Sequence, residues 1–259
     1  MQIELTRRME RQFAELQARH GRKKSDFCLC EGVRCCCELL ASPAAAAIEL
    51  IVVSEKLRNT PEELEKYPFA PVSDEKLQKL SGTINSQGIL ILVKRPSTAP
   101  ETFPPASDPF ILAVDQLGDP GNFGTILRTA RAAGLHEFWY TAGSVDPYSP
   151  KTVRSALAAQ FSMTLREFSD FEHLRNFAAK MGFNNIYLTD PHYGESCFEC
   201  QNLFDRSVVV IGSEAHGIDN SVSGNRVTIP MPGNFESLNA AQAATIVLFE
   251  HVRRITAKG

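Results

Sequence analysis

Five runs of apolar residues punctuate the second half of the chain: Phe110–Val114, Phe138–Tyr140, Ile186–Thr189, Val208–Ile211 and Val227–Ile229. They are continuous rather than alternating with polar residues, which marks strands buried on both faces of a parallel sheet. Segments with helical spacing lie between them. Ile126, Leu127, Ala130 and Ala133 share one side of a helix expected over Gly124–Ala133 and ended by Gly134. Asp170–Met181 predicts an exposed helix. Leu238 to about Arg254 predicts a largely apolar one, with Ser237 as its cap and Asn239 in its first turn. The fold class this implies is α/β, a mainly parallel sheet with helices on both faces.

The first 95 residues have shorter elements. Leu5, Met9, Phe13 and Leu16 mark one face of an amphipathic helix, which Gly21 is expected to break inside the basic run Arg19–Lys24. Phe27–Gly32 reads as a strand entering a turn, followed by a helix with Val33, Cys36, Cys37 and Leu40 inward. Ile48–Val53 and Gly88–Val93 read as strands. Thr60-Pro61-Glu62-Glu63 is a capping box with proline at the first helical position, and Ser73 caps a helix running through Leu80. Lys94 to Pro109 carries five prolines and no apolar period, a semi-extended linker. The expected division is therefore a small α/β domain over 1–95, a linker over 96–109 and a larger domain over 110–259.

Composition adds little to this frame. A chain of 259 residues that is 43% hydrophobic and 22% charged has ample core. No apolar run approaches the roughly 20 residues of a membrane helix, and the N-terminus has no apolar signal core. A soluble, cytoplasmic protein is expected. The net charge of −3 favours no partner. Locally, residues 1–24 hold seven Lys/Arg against three Glu. That makes Arg22, Lys23 and Lys24 candidate RNA phosphate contacts, with a solvated helix end as the alternative. Of seven cysteines, Cys197 and Cys200 have ligand spacing, but no second such pair accompanies them. Buried thiols, and no metal, are expected.

Candidate chemistry gathers near the C-terminus. One strand runs into Gly212-Ser213-Glu214, another into Pro230–Gly233, and a helix starts just beyond. Strand ends and helix starts present free backbone N–H groups, which is where α/β sheets place ligands. IGSEAHG (211–217), IPMPGNFESLNAAQAA (229–244) and, upstream, GNFGTILRTARAAG (121–134) resemble, in order, the three motifs of the SpoU (TrmH-like) branch of the SPOUT RNA methyltransferases. FCLCEGVR and LSGTINSQGILILV are similar to that family's substrate-binding domain, which itself resembles a ribosomal-protein fold.

The resemblance implies an α/β domain tied in a trefoil knot, S-adenosylmethionine as cofactor, and a homodimer formed through the C-terminal domain. It maps cofactor contacts onto Gly212, Ile229 and Leu238, with Met231 and Ser237 beside them. It gives Arg128 the task of orienting a ribose 2′-oxygen and its phosphate, with Asn122, Glu214 and Asn239 fixing that geometry. Arg154 would clamp an RNA phosphate. Around Arg154 the family commonly carries serine and glycine where this chain has Ala156 and Ala158. The implied function is 2′-O-methylation of a ribose in structured RNA, ribosomal RNA ahead of transfer RNA. Two alternatives stay open: a transfer-RNA methyltransferase, and a catalytically silent ribosome-assembly factor of the same fold.

Overall fold

Apolar runs become the inner strands of two sheets in the computed structural model, which describes residues 1–57, 62–83, 86–99, 101, 108–213, 217–219, 222–233 and 235–257. Thr60 and Pro61 of the capping box, and most of the proline-rich stretch, lie outside the described residues. The chain divides into two units. Met1–Pro96 with Asp146–Ser162 form the first, and Ser97–Val145 with Met163–Gly259 the second. The segment 146–162, which the sequence places with the C-terminal domain, thus packs with the N-terminal one.

The first unit opens with α1 (Arg7–Gln17), α2 (Arg19–Lys23), β1 (Phe27–Glu31), α3 (Val33–Leu40) and β2 (Ile48–Ser54). It continues through β3 (Phe69–Val72), α4 (Asp74–Leu80) and β4 (Ile89–Lys94). The chain then supplies β5 (Phe110–Val114), α5 (Pro120–Ala132) and β6 (Glu137–Thr141) to the second unit, and α6 (Pro150–Ser155) to the first. The second unit is completed by β7 (Thr164–Phe168), α7 (Phe171–Lys180), β8 (Asn185–Thr189) and β9 (Glu195–Ser196). β10 (Ser207–Ile211), β11 (Asn225–Thr228) and α8 (Ala240–Thr256) follow.

In the first unit the sheet order is β1-β4-β2-β3, with β4 antiparallel to both neighbours and β3 parallel to β2. β3 was not expected. Its Pro71 hides it, yet proline suits an edge strand because no N–H is needed on the open side. Phe13 and Leu16 of α1 pack into a core with Leu29, Leu50 and Leu90. The chain turns at Ala18 (φ −90°, ψ 142°), not at Gly21. Gly21 lies within α2, where a Cβ would come to 2.1 Å from the Glu15 carbonyl oxygen, so the glycine permits a close crossing. On α3 the inward residues are Cys35, Cys36 and Leu39, while Cys37 is exposed; the true apolar stripe is rotated from the one expected.

The two N-terminal motifs meet through hydrogen bonds. Glu31 of FCLCEGVR is buried and accepts hydroxyls from Ser81 and, at 2.7 Å, from Thr83. Gln87 Oε1 accepts the Val33 N–H at 3.0 Å beside Gly32, whose φ of +95° suits glycine.

The second sheet has seven parallel strands in the order β7-β6-β5-β10-β8-β11-β9. Every residue of β5, β6 and β10 is buried, as the unbroken apolar runs require. β7 was missed because its centre is charged. Arg166 there donates at 2.5 Å to Glu137 of β6, both fully buried, and Trp139 Nε1 shares that carboxylate. A charge sunk in a core is tolerated only with such a partner, and one strand's sequence does not show it. One face of the sheet is covered by α7 through Leu174, Phe177 and Ala178, so this helix is half-buried rather than exposed. On the other face Phe123 of α5 stands edge-on to Phe138 and Tyr140, with centroids 5.5 and 5.6 Å away.

Two helix starts differ from expectation. α5 begins at Pro120, because Asp119 caps it by accepting the Asn122 N–H at 2.7 Å; Asn122 is therefore helical. α8 begins at Ala240, and its cap is Asn239 rather than Ser237. The Asn239 side-chain oxygen accepts the N–H groups of Ala241 and Gln242 at 2.9 and 3.3 Å.

Candidate functional site

The C-terminal ends of β8, β10 and β11 and the start of α8 enclose a cavity of about 590 Å³. It lies on the side of the switch point between β5 and β10 where α/β sheets receive ligands, and its size suits a cofactor. Gly212, Ile229, Met231, Ser237 and Leu238, the five cofactor candidates, all line it, and Asn239 joins them. Ile211, Ile218, Ile229, Met231 and Leu238 supply apolar surface.

Gly212 earns its place differently from the motif argument. A Cβ there would meet the Gly217 carbonyl carbon at 2.4 Å and the Ile218 nitrogen at 2.7 Å. The glycine lets the loop close on itself, with Ser213 and Gly217 exchanging backbone bonds of 3.2 and 3.0 Å. Ile229, Met231 and Leu238 make no hydrogen bond within the described residues. Backbone polar groups left open beside apolar walls fit a ligand with a flat ring and polar edges, such as the adenosine of S-adenosylmethionine.

Sequence reasoning missed one wall. Thr189 to Tyr193, the turn after β8, also lines the cavity. The Asp190 carboxylate accepts the N–H groups of His192 and Tyr193, each at 2.9 Å, and lies 3.5 Å from Arg226. The same strand-end rule applied to β8 would have found this turn.

The Asn239 amide nitrogen donates to Asn122 Oδ1 at 3.0 Å, so the first and third motifs are joined directly. Both ends of the Asn239 amide are thus used, one on the helix cap and one on α5. Arg128, further along α5, is exposed and makes no hydrogen bond or ion pair among the described residues. It does not line the cavity. Glu214 lies outside the described residues.

The RNA-contact candidates divide. Lys23 and Lys24 are exposed. Arg22 is buried: its Nε is 2.8 Å from Asp146, and its Nη1 donates to the carbonyls of Leu16 and Gln17 at 3.1 and 2.9 Å. Its charge is committed within the first unit, which corrects its assignment as a phosphate contact. Arg154 lies in the last turn of α6 rather than at its start, and its Nη1 is 3.3 Å from Glu31.

Residues 109–249 match the model of the SpoU rRNA Methylase family, and residues 11–91 match that of the MRM3-like substrate binding domain. The chain belongs to the SpoU rRNA methylase family. Among relatives, the mitochondrial rRNA methyltransferase 3A of Danio rerio is 28% identical, over 96% of this chain and 68% of that protein. The 23S rRNA (uridine(2479)-2′-O)-methyltransferase of Streptomyces viridochromogenes is 32% identical, over 64% of this chain and 60% of that one. The crystal structure of the SpoU methyltransferase AviRb from the same organism, in complex with AdoMet, superposes with a TM-score of 0.82 at 26% identity. That match covers 97% of this chain and 100% of the other.

Within this SpoU methylase the departure at Ala158 has a visible cost. Its φ is +61°, a left-handed conformation that explains why the family commonly has glycine there.

Six of the seven cysteines are buried thiols, and Cys37 is exposed. Cys30 and Cys35 approach to 3.2 Å, and Cys35 also donates to the Val153 carbonyl at 3.4 Å. The hydrogen bond to Cys30, then burial, pushes the Cys35 thiol well above the usual range. Among the described residues no group of three His, Cys, Asp or Glu is placed to hold a metal. Cys197 and Cys200 are instead a turn gripped by α8: Arg254 donates to both their carbonyls at 2.7 Å, and to Glu250 at 2.7 Å. Burial pushes the Cys197 thiol up to about 11. No helix among the described residues is long and apolar enough to cross a membrane.

Proposed function

We infer that this chain transfers a methyl group from S-adenosylmethionine to a ribose 2′-hydroxyl of ribosomal RNA. The observation that carries the reading is convergence. Five cofactor candidates line one cavity, and Asn239 at its rim is bonded to Asn122 on the helix that bears Arg128, which has no partner among the described residues. Bound S-adenosylmethionine supplies a methyl group already activated by its sulfonium. Ile229, Met231 and Leu238 would hold it through their open backbone groups. The Asn122–Asn239 pair fixes the start of α5 against the start of α8. Arg128, being outside the cavity, is suited to the RNA rather than the cofactor. Its guanidinium can hold a 2′-oxygen and adjacent phosphate in one planar fork.

The first unit is assigned RNA affinity through its exposed Lys23 and Lys24, with Arg154 free to contribute only as its bond to Glu31 is exchanged. A homodimer through the second unit is part of the reading. Phe249 and Ile255 of α8 are 47% and 52% exposed, an apolar surface of the kind that marks an interface; light scattering at one-chain mass would contradict it. A cytoplasmic site of action completes the reading, and imaging of the tagged chain tests it.

The deciding experiment incubates the protein, labelled S-adenosylmethionine and ribosomal RNA from a strain lacking it, then maps 2′-O-methyl positions. Label at one ribose is expected. Cofactor binding by calorimetry with no transfer to any RNA would favour the silent assembly factor.

A further inference from the structure

A second cavity of about 450 Å³ adjoins the cofactor cavity and shares Pro191, His192, Met231 and Glu236 with it. Its remaining walls include Pro230 and Phe235. Phe235 is 75% exposed, the side chain of a large apolar residue held out at the rim of the family's third motif. Tyr193, on the facing turn after β8, is 72% exposed. Solvent-facing aromatics on both turns beside a reaction site are unfavourable unless something covers them.

We propose that this groove seats an unstacked RNA base of the target region, with Phe235 as the stacking platform that positions the ribose at the cofactor. The inference rests on the methyltransferase reading above. Three observations select a base over other occupants. The groove shares Pro191, His192, Met231 and Glu236 with the cofactor cavity, so whatever fills it lies next to the cofactor site. Two prolines, a methionine and a phenylalanine give it apolar faces, and His192, Thr228 and Glu236 give it polar edges. Among the described residues no Lys or Arg lines it. A phosphate would face Glu236 with no Lys or Arg beside it among the described residues, whereas a base can stack on Phe235 and donate an amino or imino hydrogen to that carboxylate. Phe235 touches only the second cavity and is a positioning residue, acting on the RNA and not on the cofactor.

The test compares wild type, Phe235→Ala and Phe235→Trp in labelled methyl transfer to ribosomal RNA from a strain lacking the protein. Each variant is also titrated with S-adenosylmethionine by calorimetry and sized by light scattering. Base stacking on an aromatic ring is typically worth a factor of about 5 to 150, so Phe235→Ala should lose that much in kcat/KM for RNA. Cofactor affinity should stay within twofold, and Phe235→Trp should restore most of the rate. Phe235→Ala transfer within twofold of wild type overturns the inference while leaving the methyltransferase reading intact. A loss of rate that accompanies a halved mass overturns it in favour of a second copy of the chain as the occupant. No transfer by the wild type removes both readings.

Discussion

Two corners of this chain carry arginines that its sequence treats alike, and they are used in opposite ways. In the first unit, Arg22 is buried among Asp146 and two carbonyls, Arg95 stacks on Tyr148 at 5.1 Å, and Arg154 is paired with Glu31. In the second, Arg128 stands exposed on α5 with no partner among the described residues, above an asparagine pair that fixes the helix start. Charge paired within its own unit holds a fold. Charge left open on a rigid helix is available to a ligand.

Substitution at the open corner should have the largest effect. Arg128→Ala should slow single-turnover methylation about a hundred- to a thousandfold, the loss typical of one transition-state contact, about 2.7–4 kcal/mol. The melting temperature and cofactor affinity should hardly move. Normal rates from the well-folded variant would erase the difference between the corners.

At the committed corner the pattern should invert. Arg22→Ala leaves two carbonyls without their guanidinium donor and Asp146 with only the Tyr148 N–H and the more distant Arg95, and should cost about 2–3 kcal/mol in urea unfolding, a value typical of hydrogen bonds to charged groups. Activity per folded molecule should persist. A stable variant with weakened RNA binding would return Arg22 to the list of phosphate contacts.

Asn239 belongs to both categories and separates them within one side chain. Asn239→Asp keeps the oxygen that caps α8 but loses the amide donated to Asn122; Asn239→Ala loses both. Only the alanine variant should lose the cap, about 1 kcal/mol in denaturation. Both should lose turnover if the link to α5 matters, and equal activity for wild type and Asn239→Asp would show that it does not.

The smallest effect is expected at Ala158. Ala158→Gly relieves a left-handed alanine at φ +61° and should stabilise the chain by about 0.5–1 kcal/mol, read as a raised midpoint in urea. A lowered midpoint would mean that the unfolded chain's gain in freedom outweighs the relieved strain.

What was legible in the sequence follows the same division. The strands β5, β6, β8 and β10 show because burial on both faces demands unbroken apolar runs. The cofactor candidates came from the resemblance, and they sit where strand ends and a helix start lie close in the chain. β7 did not show, since its Arg166 is explained only by Glu137 on another strand. The burial of Arg22 was hidden for the same reason: Asp146 lies 124 residues away. The α8 cap was misplaced because Ser237 and Asn239 are both good caps and only the backbone decides between them. The turn at Thr189–Tyr193 was hidden by the lack of a motif, though not by any lack of physics.

The grip of Arg254 on the Cys197–Cys200 turn makes the end of α8 an acid-sensitive latch. Hydrogen bonds from Arg253, and then from Arg254, hold the Glu250 carboxyl down to about 2 from its ordinary 4.5. A carboxyl depressed in the folded state lends stability that is fully present above about pH 4.5 and drains away as pH falls towards 2. Protonation near pH 2 removes the charge that holds Arg253 and Arg254 Nε, leaving only the two carbonyl bonds of Arg254 on the turn, so the helix end and the turn should loosen together. A thiol reagent active in acid would then label Cys197 and Cys200 only as the pH nears 2, while Cys30 and Cys35, in the other unit, stay shielded.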